Sequence, residues 1–225
     1  MSSYTEGQTH QLMEALQTAG FTADDVTKLG QFDNLPSIRA VVRNELVVSA
    51  PIRHWTVDKD GTIRFSVTSD GTTGPEWADW FKTNGYNLGS EAEFILRSSS
   101  FRPSVKGTTY EIAVLKGDLF TDQNRTTSNL RAKADSLGFK QGKEVNPEIA
   151  CLIRRMFSDE EIEAMGLWRI VTLHQPIGGS GGGPGLLGAD RGGSGRWLGA
   201  YYGEPVDRWR RDLGFACVVS PACNA

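Results

Sequence analysis

The residues best suited to chemistry in this chain are scattered, and their spacing excludes more than it supports. The three histidines, His10, His54 and His174, fall in different predicted elements, so none pairs with another at the helical or hairpin spacing of a metal site. His174 ends a strand beside a glycine-rich passage and reads as a structural histidine. The three cysteines are equally dispersed. Cys151 sits in an apolar helical pattern and reads as a small core residue. Cys217 and Cys223 bracket "VVSPA" without the CxxC spacing of a redox or zinc motif. No GxSxG elbow supplies a serine nucleophile. The run "GGSGGGPG" from Gly178 has glycines enough to cradle phosphate, but no GK[ST] follows it, so it is not a P-loop. "DKDG" at Asp58–Gly61 lacks the other carboxylates of a calcium loop and reads as a turn. The acidic "SDEEIE" from Ser158 marks a helix N-terminus, where carboxylates complement the dipole.

What remains is the stretch from Gly185 to Ser220. Glycine, serine, aspartate, arginine and tyrosine crowd there between Trp197, Leu198, Trp209 and Phe215. Tyrosine, serine, glycine and arginine are the residues favoured by adaptable binding surfaces. The aromatic and aliphatic anchors imply that such a surface is pinned to a core. The expected ligand-binding residues are Ser180, Asp190, Arg191, Ser194, Tyr201, Tyr202, Glu204, Asp207, Arg208 and Arg210. No cofactor is implied.

The elements that must position them follow from periodicity and punctuation. Residues 1–46 read as a small helical module. Leu12 and Leu16 share one face, Gly20 stops the first helix, "TADD" opens the second, and Asn34 with Pro36 opens a third carrying Ile38, Val41 and Val42. Composition shifts at Val47, and 47–225 reads as one domain whose core lies at about 107–220. "HWTVDKDGTIRFSV" is a hairpin with Val57, Ile63, Phe65 and Val67 inward. "GPEWADWFKTNG" is a helix carrying Trp77, Trp80 and Phe81 on one face. A strand then bears Tyr110, Ile112 and Val114. A helix follows with Leu130, Ala134 and Leu137 inward, then a second, capped by Asn146, with Ile149, Leu152, Ile153 and Met156 inward. "LWRIVTLHQPI" is a strand. A long irregular glycine-rich region comes next, then short strands at "RWLGAYY" and "LGFACVVS".

Composition bounds the function. Hydrophobic residues make up 39% of the 225 residues and charged ones 23%, as in globular proteins with a core. The net charge of −3 gives no electrostatic footprint for nucleic acid. No apolar run reaches membrane-spanning length, and the N-terminus lacks the order of a signal peptide. A reducing, cytoplasmic setting is expected.

"RGGSGRW", "AYYGEPVDRW" and "LGFACVV" resemble the ending of the formylglycine-generating-enzyme branch of the C-type lectin fold. Arg191, Gly192, Gly193, Ser194, Gly214 and Phe215 carry the match, and Ala216 stands where the branch commonly has arginine. The strand–helix–helix–strand order from Gly107 agrees with that fold. The three cysteines match none of the enzyme's catalytic motifs, and "EPV" at Glu204 lacks the polar residue that lectin sugar motifs place after proline. The same fold serves the variable proteins of diversity-generating retroelements, whose adenine-directed mutagenesis yields Gly, Ser, Asp, Tyr and Arg near the C-terminus. The resemblance therefore implies an α+β, C-type-lectin-like variable protein that binds a protein or surface ligand and is not an enzyme. The alternatives are an oxidase of the formylglycine-generating type and, more weakly, a nucleic-acid-binding regulator acting through the N-terminal helices.

Overall fold

A computed structural model describes residues 5–31, 35–43, 53–193 and 195–221, with side chains undescribed at 35–37 and 220–221. Asn34, Ser194, Cys223 and the expected boundary at 46/47 lie outside the described residues, as does the side chain of Pro36. The chain divides into two compact units, Met1–Ile52 and Arg53–Ala225.

The first unit holds α1 (Glu6–Thr18), α2 (Ala23–Gly30) and α3 (Leu35–Val42). Local chemistry accounts for the starts of α1 and α2 and the end of α1. Thr5 and Gln8 form a capping box, as do Thr22 and Asp25, satisfying amide donors that a helix N-terminus leaves open. Gly20, at φ 84°, closes α1, and the Phe21 amide reaches back to the Leu16 carbonyl. No residue of α1 or α2 is buried, and Leu12, Met13 and Phe21 are exposed.

The second unit is mixed α+β around a large mixed sheet. Its strands are β1 (Thr56–Val57), β2 (Ile63–Thr68), β3 (Asn87–Leu88), β4 (Thr109–Lys116), β5 (Arg169–Thr172), β6 (Ile177–Gly178), β7 (Pro184–Gly192), β8 (Gly195–Tyr202) and β9 (Leu213–Pro221). They run in the order β1-β2-β4-β9-β5-β7-β8-β3, with β6 paired to β7. The β5–β9 and β3–β8 pairs are parallel and the remaining pairs antiparallel. The helices are α4 (Gly74–Thr83), α5 (Ser90–Arg97), α6 (Thr127–Ser136), α7 (Glu148–Met156) and α8 (Asp159–Ala164).

Strand alternation sorts side chains onto two buried faces. One carries Ile63, Phe65, Ile112, Val114, Ile170, Leu187, Ala189, Leu198, Ala216 and Val218, which pack with Trp77, Phe81, Ile95, Leu96, Ile149 and Ile153 of α4, α5 and α7. The other carries Ala113, Leu115, Val171, Leu186, Phe215 and Cys217, packed with Leu130 and Ala134 of α6. Burial on both faces explains why β4 and β9 read as nearly continuous apolar runs.

Four expectations are corrected. The stretch expected to be irregular contains β7, a nine-residue strand inside the sheet. Its glycines are close-approach residues: a Cβ on Gly185 would stand 2.6 Å from Ile95 Cδ1, and one on Gly188 3.1 Å from the Tyr201 ring. Helix α5 was not expected, although Ala92, Ile95 and Leu96 form its buried stripe. Val57 is 53% exposed because β1 lies at the sheet edge. Leu137 is 36% exposed because α6 ends at Ser136, and Leu137, as its C-cap, falls off the inward stripe.

His174 is buried between strands. Its Nδ1 lies 2.7 Å from the Gln175 carbonyl, and its Nε2 accepts the Leu187 amide at 2.9 Å. The ring is therefore neutral, protonated on Nδ1, and it supplies the Leu187 amide of β7 with an acceptor. Burial lowers its pKa from 6.5 to about 4. The folded state thus binds fewer protons than the unfolded one between these values, and the stability this ring contributes above pH 6.5 is lost as pH falls through 4. Asp190 shifts the opposite way, so the measurement is a difference between parent and variant. The stability advantage of the parent over His174→Gln, from urea unfolding, is expected to shrink by about 2 kcal/mol between pH 7 and pH 4.5. A constant difference would contradict a neutral, buried His174.

Candidate binding site

The β7–β8 hairpin and the β8–β9 connection hold most of the expected site residues, and register decides which of them meet. Arg169 of β5 pairs directly with Asp190 of β7, which pairs with Trp197 of β8, so the three share a face. Tyr201 lies on the same face, four residues beyond Trp197. Its ring runs back along the hairpin over Gly199, where a Cβ would crowd the Tyr201 ring and come within 2.7 Å of Asp190 Oδ2. Gly188, the cross-strand partner of Gly199, lies against the same ring. The crowding of glycine with aromatic residues thus has a packing cause: the tyrosine occupies the space that side chains at 188 and 199 would fill.

Laid down in this way, the Tyr201 hydroxyl donates to the Asp190 carboxylate, as does Arg169 Nε. The Arg169 guanidinium lies 3.6 Å from the centroid of the Tyr201 ring. On the opposite side, Arg154 of α7 donates to the Asp190 carbonyl at 2.6 Å, to Asp159 Oδ1 at 2.9 Å and to the Phe157 carbonyl. Asp190 is only 6% exposed. Burial pushes its carboxyl up to about 7, with Arg169 and Arg154 pulling it back. This network ties three strands to α7, with Arg154 Nε its one buried polar atom left without a hydrogen-bond partner among the described residues.

The connection from Tyr202 to Leu213 is different. Its backbone is bound to the start of α6, whose first amides need acceptors. The Thr127 amide donates to the Asp207 carbonyl at 3.2 Å and the Ser128 amide to the Pro205 carbonyl at 3.0 Å. The Trp209 amide donates to the Arg125 carbonyl at 2.9 Å. Buried Arg125 adds bonds to the Gly117, Phe120 and Trp209 carbonyls. Trp209 is half-buried edge-on to Phe215, with Nε1 donating to Thr127 Oγ1 at 2.9 Å. From this pinned backbone Tyr202, Glu204, Arg208 and Arg210 project as exposed side chains, Tyr202 being 63% exposed. Asp207 is half-buried, its carboxylate accepting the Glu204 amide at 3.1 Å. Arg210 Nε donates to Asp212 at 3.0 Å.

The remaining expected residues lie elsewhere. Ser180 sits in the turn between β6 and β7, where its amide and hydroxyl both donate to Glu91 of α5. Arg191 pairs with Glu163 of α8 at 2.7 Å and donates to the Leu167 carbonyl. Of the anchors, Leu198 and Phe215 are fully buried, whereas Trp197 and Trp209 are half-buried. Sequence reasoning missed Arg154, Arg169, Arg125 and Glu91. Arg154 carried a faint signal, being an arginine next to the inward apolar positions of α7; Arg169 became visible only once its register with Asp190 was known.

The two described cysteines occupy opposite faces of the sheet, Cys151 in the cluster with α4 and α5 and Cys217 in the cluster with α6. Burial raises both thiols, Cys217 to about 12, so neither is a thiolate nucleophile. Among the described residues no group of three or more His, Cys, Asp or Glu side chains could hold a metal ion, and no helix is long and apolar enough to cross a membrane. No family model, curated protein or solved structure matches the chain.

Proposed function

We propose that this chain is a binding protein that displays a changeable C-terminal surface on a C-type-lectin-like scaffold, as a variable protein of a diversity-generating retroelement does. One observation carries the reading. Between Tyr202 and Arg211 the main chain is held by backbone bonds to α6, while Tyr202, Glu204, Arg208 and Arg210 point to solvent. Side chains there can change without loss of the bonds that order the loop.

The order β4, α6, α7, β5, with the short α8 inserted before β5, supports the lectin-like scaffold, as does the return of β9 to lie beside β4. Residues that carry the family resemblance do packing work. Phe215 is fully buried, and a Cβ on Gly214 would stand 2.6 Å from Val114 Cγ1. The separation of Cys151 from Cys217 by the sheet favours binding over thiol-copper oxidation.

Serine at Tyr202, Glu204, Arg208 and Arg210 together is expected to leave the thermal transition near that of the parent, because exposed substitutions seldom alter stability by more than about 0.5 kcal/mol each. Affinity for a protein ligand captured by the parent should fall at least about tenfold, since aromatic and arginine residues dominate interfaces. Undiminished capture by a folded variant would place the site elsewhere. For the retroelement origin, the observation to make is a near-copy of the codons for Ile177–Ser220 beside a reverse-transcriptase gene, differing at adenines.

A further inference from the structure

The run Gly178–Gly185, which resembles a phosphate cradle, holds one of the protein's own carboxylates. The Gly179 amide closes on the Gly183 carbonyl at 2.8 Å, and the Gly182 amide on the Gly179 carbonyl at 2.9 Å. This turn aims the Ser180 amide at Glu91 Oε2, 2.9 Å away, and the Ser180 hydroxyl at Oε1. A Cβ on Gly179 would stand 2.6 Å from Glu91 Oε2, and one on Gly183 would collide with the Tyr202 ring. The glycines therefore let a carboxylate and a tyrosine close onto the loop.

Beside them lies a cleft of about 300 Å³. Its floor and walls are Ile95, Pro184, Gly185 and Ala200, and Glu91 and Tyr202 stand in its lining. Among the described residues, Glu91 is the one ionisable carboxylate or base lining it, tyrosines apart. The Ser180 hydroxyl and amide hold that carboxyl below its ordinary range, so it is ionised at neutral pH. Each carboxylate oxygen accepts one bond from Ser180, and a carboxylate offers about four acceptor positions, so both oxygens can still receive a donor. An anion would meet a negative charge and find the Ser180 donors engaged.

We infer that this cleft receives an arginine side chain of a protein partner, its stem against Pro184 and Ala200 and its guanidinium on the Glu91 carboxylate beside the Tyr202 ring. A planar fork of donors fits a carboxylate whose two oxygens are already oriented, and an exposed tyrosine face adds cation–π attraction. The inference rests on the binding-protein reading above, since Tyr202 belongs to that surface and also lines the cleft.

The test uses the intact, isotope-labelled chain and acetyl-Gly-Arg-Gly-amide as the probe, with the neutral citrulline analogue as its control. Saturable shifts of the Ser180 and Gly181 amides and of the Ile95 δ1 methyl are expected with the arginine peptide. The citrulline peptide, and the arginine peptide with Glu91→Gln, should bind at least about tenfold more weakly, the scale of a lost charge-assisted hydrogen bond. An unchanged Leu187 amide in Glu91→Gln would establish that the fold is intact. Equal binding of both peptides, or no saturable shift in the cleft, overturns the inference. If that happens while the rim serine variant still loses its captured ligand, the binding-protein reading stands without it. If the arginine peptide saturates the cleft but the rim variant captures as before, the rim reading fails and the cation site remains.

Discussion

Replacing Arg154 by methionine is expected to destabilise the larger unit by about 3–5 kcal/mol, the scale for removing one partner from a buried charge pair. The side chain is fully buried and donates to Asp159 and to the Asp190 and Phe157 carbonyls. Methionine fills much of the volume but leaves three acceptors without this donor, two of them backbone carbonyls in a region closed to water. All six tryptophans lie between Trp55 and Trp209, so intrinsic fluorescence during urea unfolding reads the larger unit without interference from α1–α3. Arg210→Met is the comparison: its pair with Asp212 is exposed, and its loss should change stability by less than about 1 kcal/mol. Equal effects of the two substitutions would mean that Arg154 does not hold the β7 backbone against α7.

Trp209→Ala is expected to cost about 3 kcal/mol, the low end of the range for truncating a packed large aromatic, since the ring is half-buried. The substitution removes the edge-on contact with Phe215 and the bond from Nε1 to Thr127. It also loosens the loop where it is tied to α6, so amide hydrogen exchange at Thr127, Ser128 and Trp209 should accelerate with it. Ligand capture would then suffer through disorder of the rim, even though Trp209 need not touch the ligand. Stability close to that of the parent would assign the ring to the exposed surface and leave the rim ordered by backbone bonds alone.

Much of the scaffold was legible because it is written in local chemistry. Capping boxes at Thr22 and Ser158, the proline-opened α4, the strand alternation of Ile63, Phe65 and Val67, and the inward stripe of α7 each depend on residues a few positions apart. The anchors Leu198 and Phe215 were likewise legible as apolar residues in strand patterns. Helix α5 was legible too, in the spacing of Ala92, Ile95 and Leu96 with Glu91 and Glu93 in its first turn and Arg97 in its last.

The site divides along the same line. Residues 202–210 announced a polar and aromatic surface by composition alone, and Tyr202, Glu204, Arg208 and Arg210 are exposed. Composition could not tell these side chains from Asp190 and Tyr201, which carry the same chemistry and are turned inward. That distinction comes from pairing. Asp190 meets Arg169 because β5 and β7 run antiparallel in one register, and a slip of β7 by one residue would turn Asp190 to the face opposite Arg169. Tyr201 reaches Asp190 because glycines from two strands, Gly188 and Gly199, leave room beneath its ring. The glycine-rich passage read as irregular because backbone propensity counts glycine against a strand. In the sheet those glycines are the positions where a neighbour's side chain already fills the space, and only the tertiary structure says which neighbour that is.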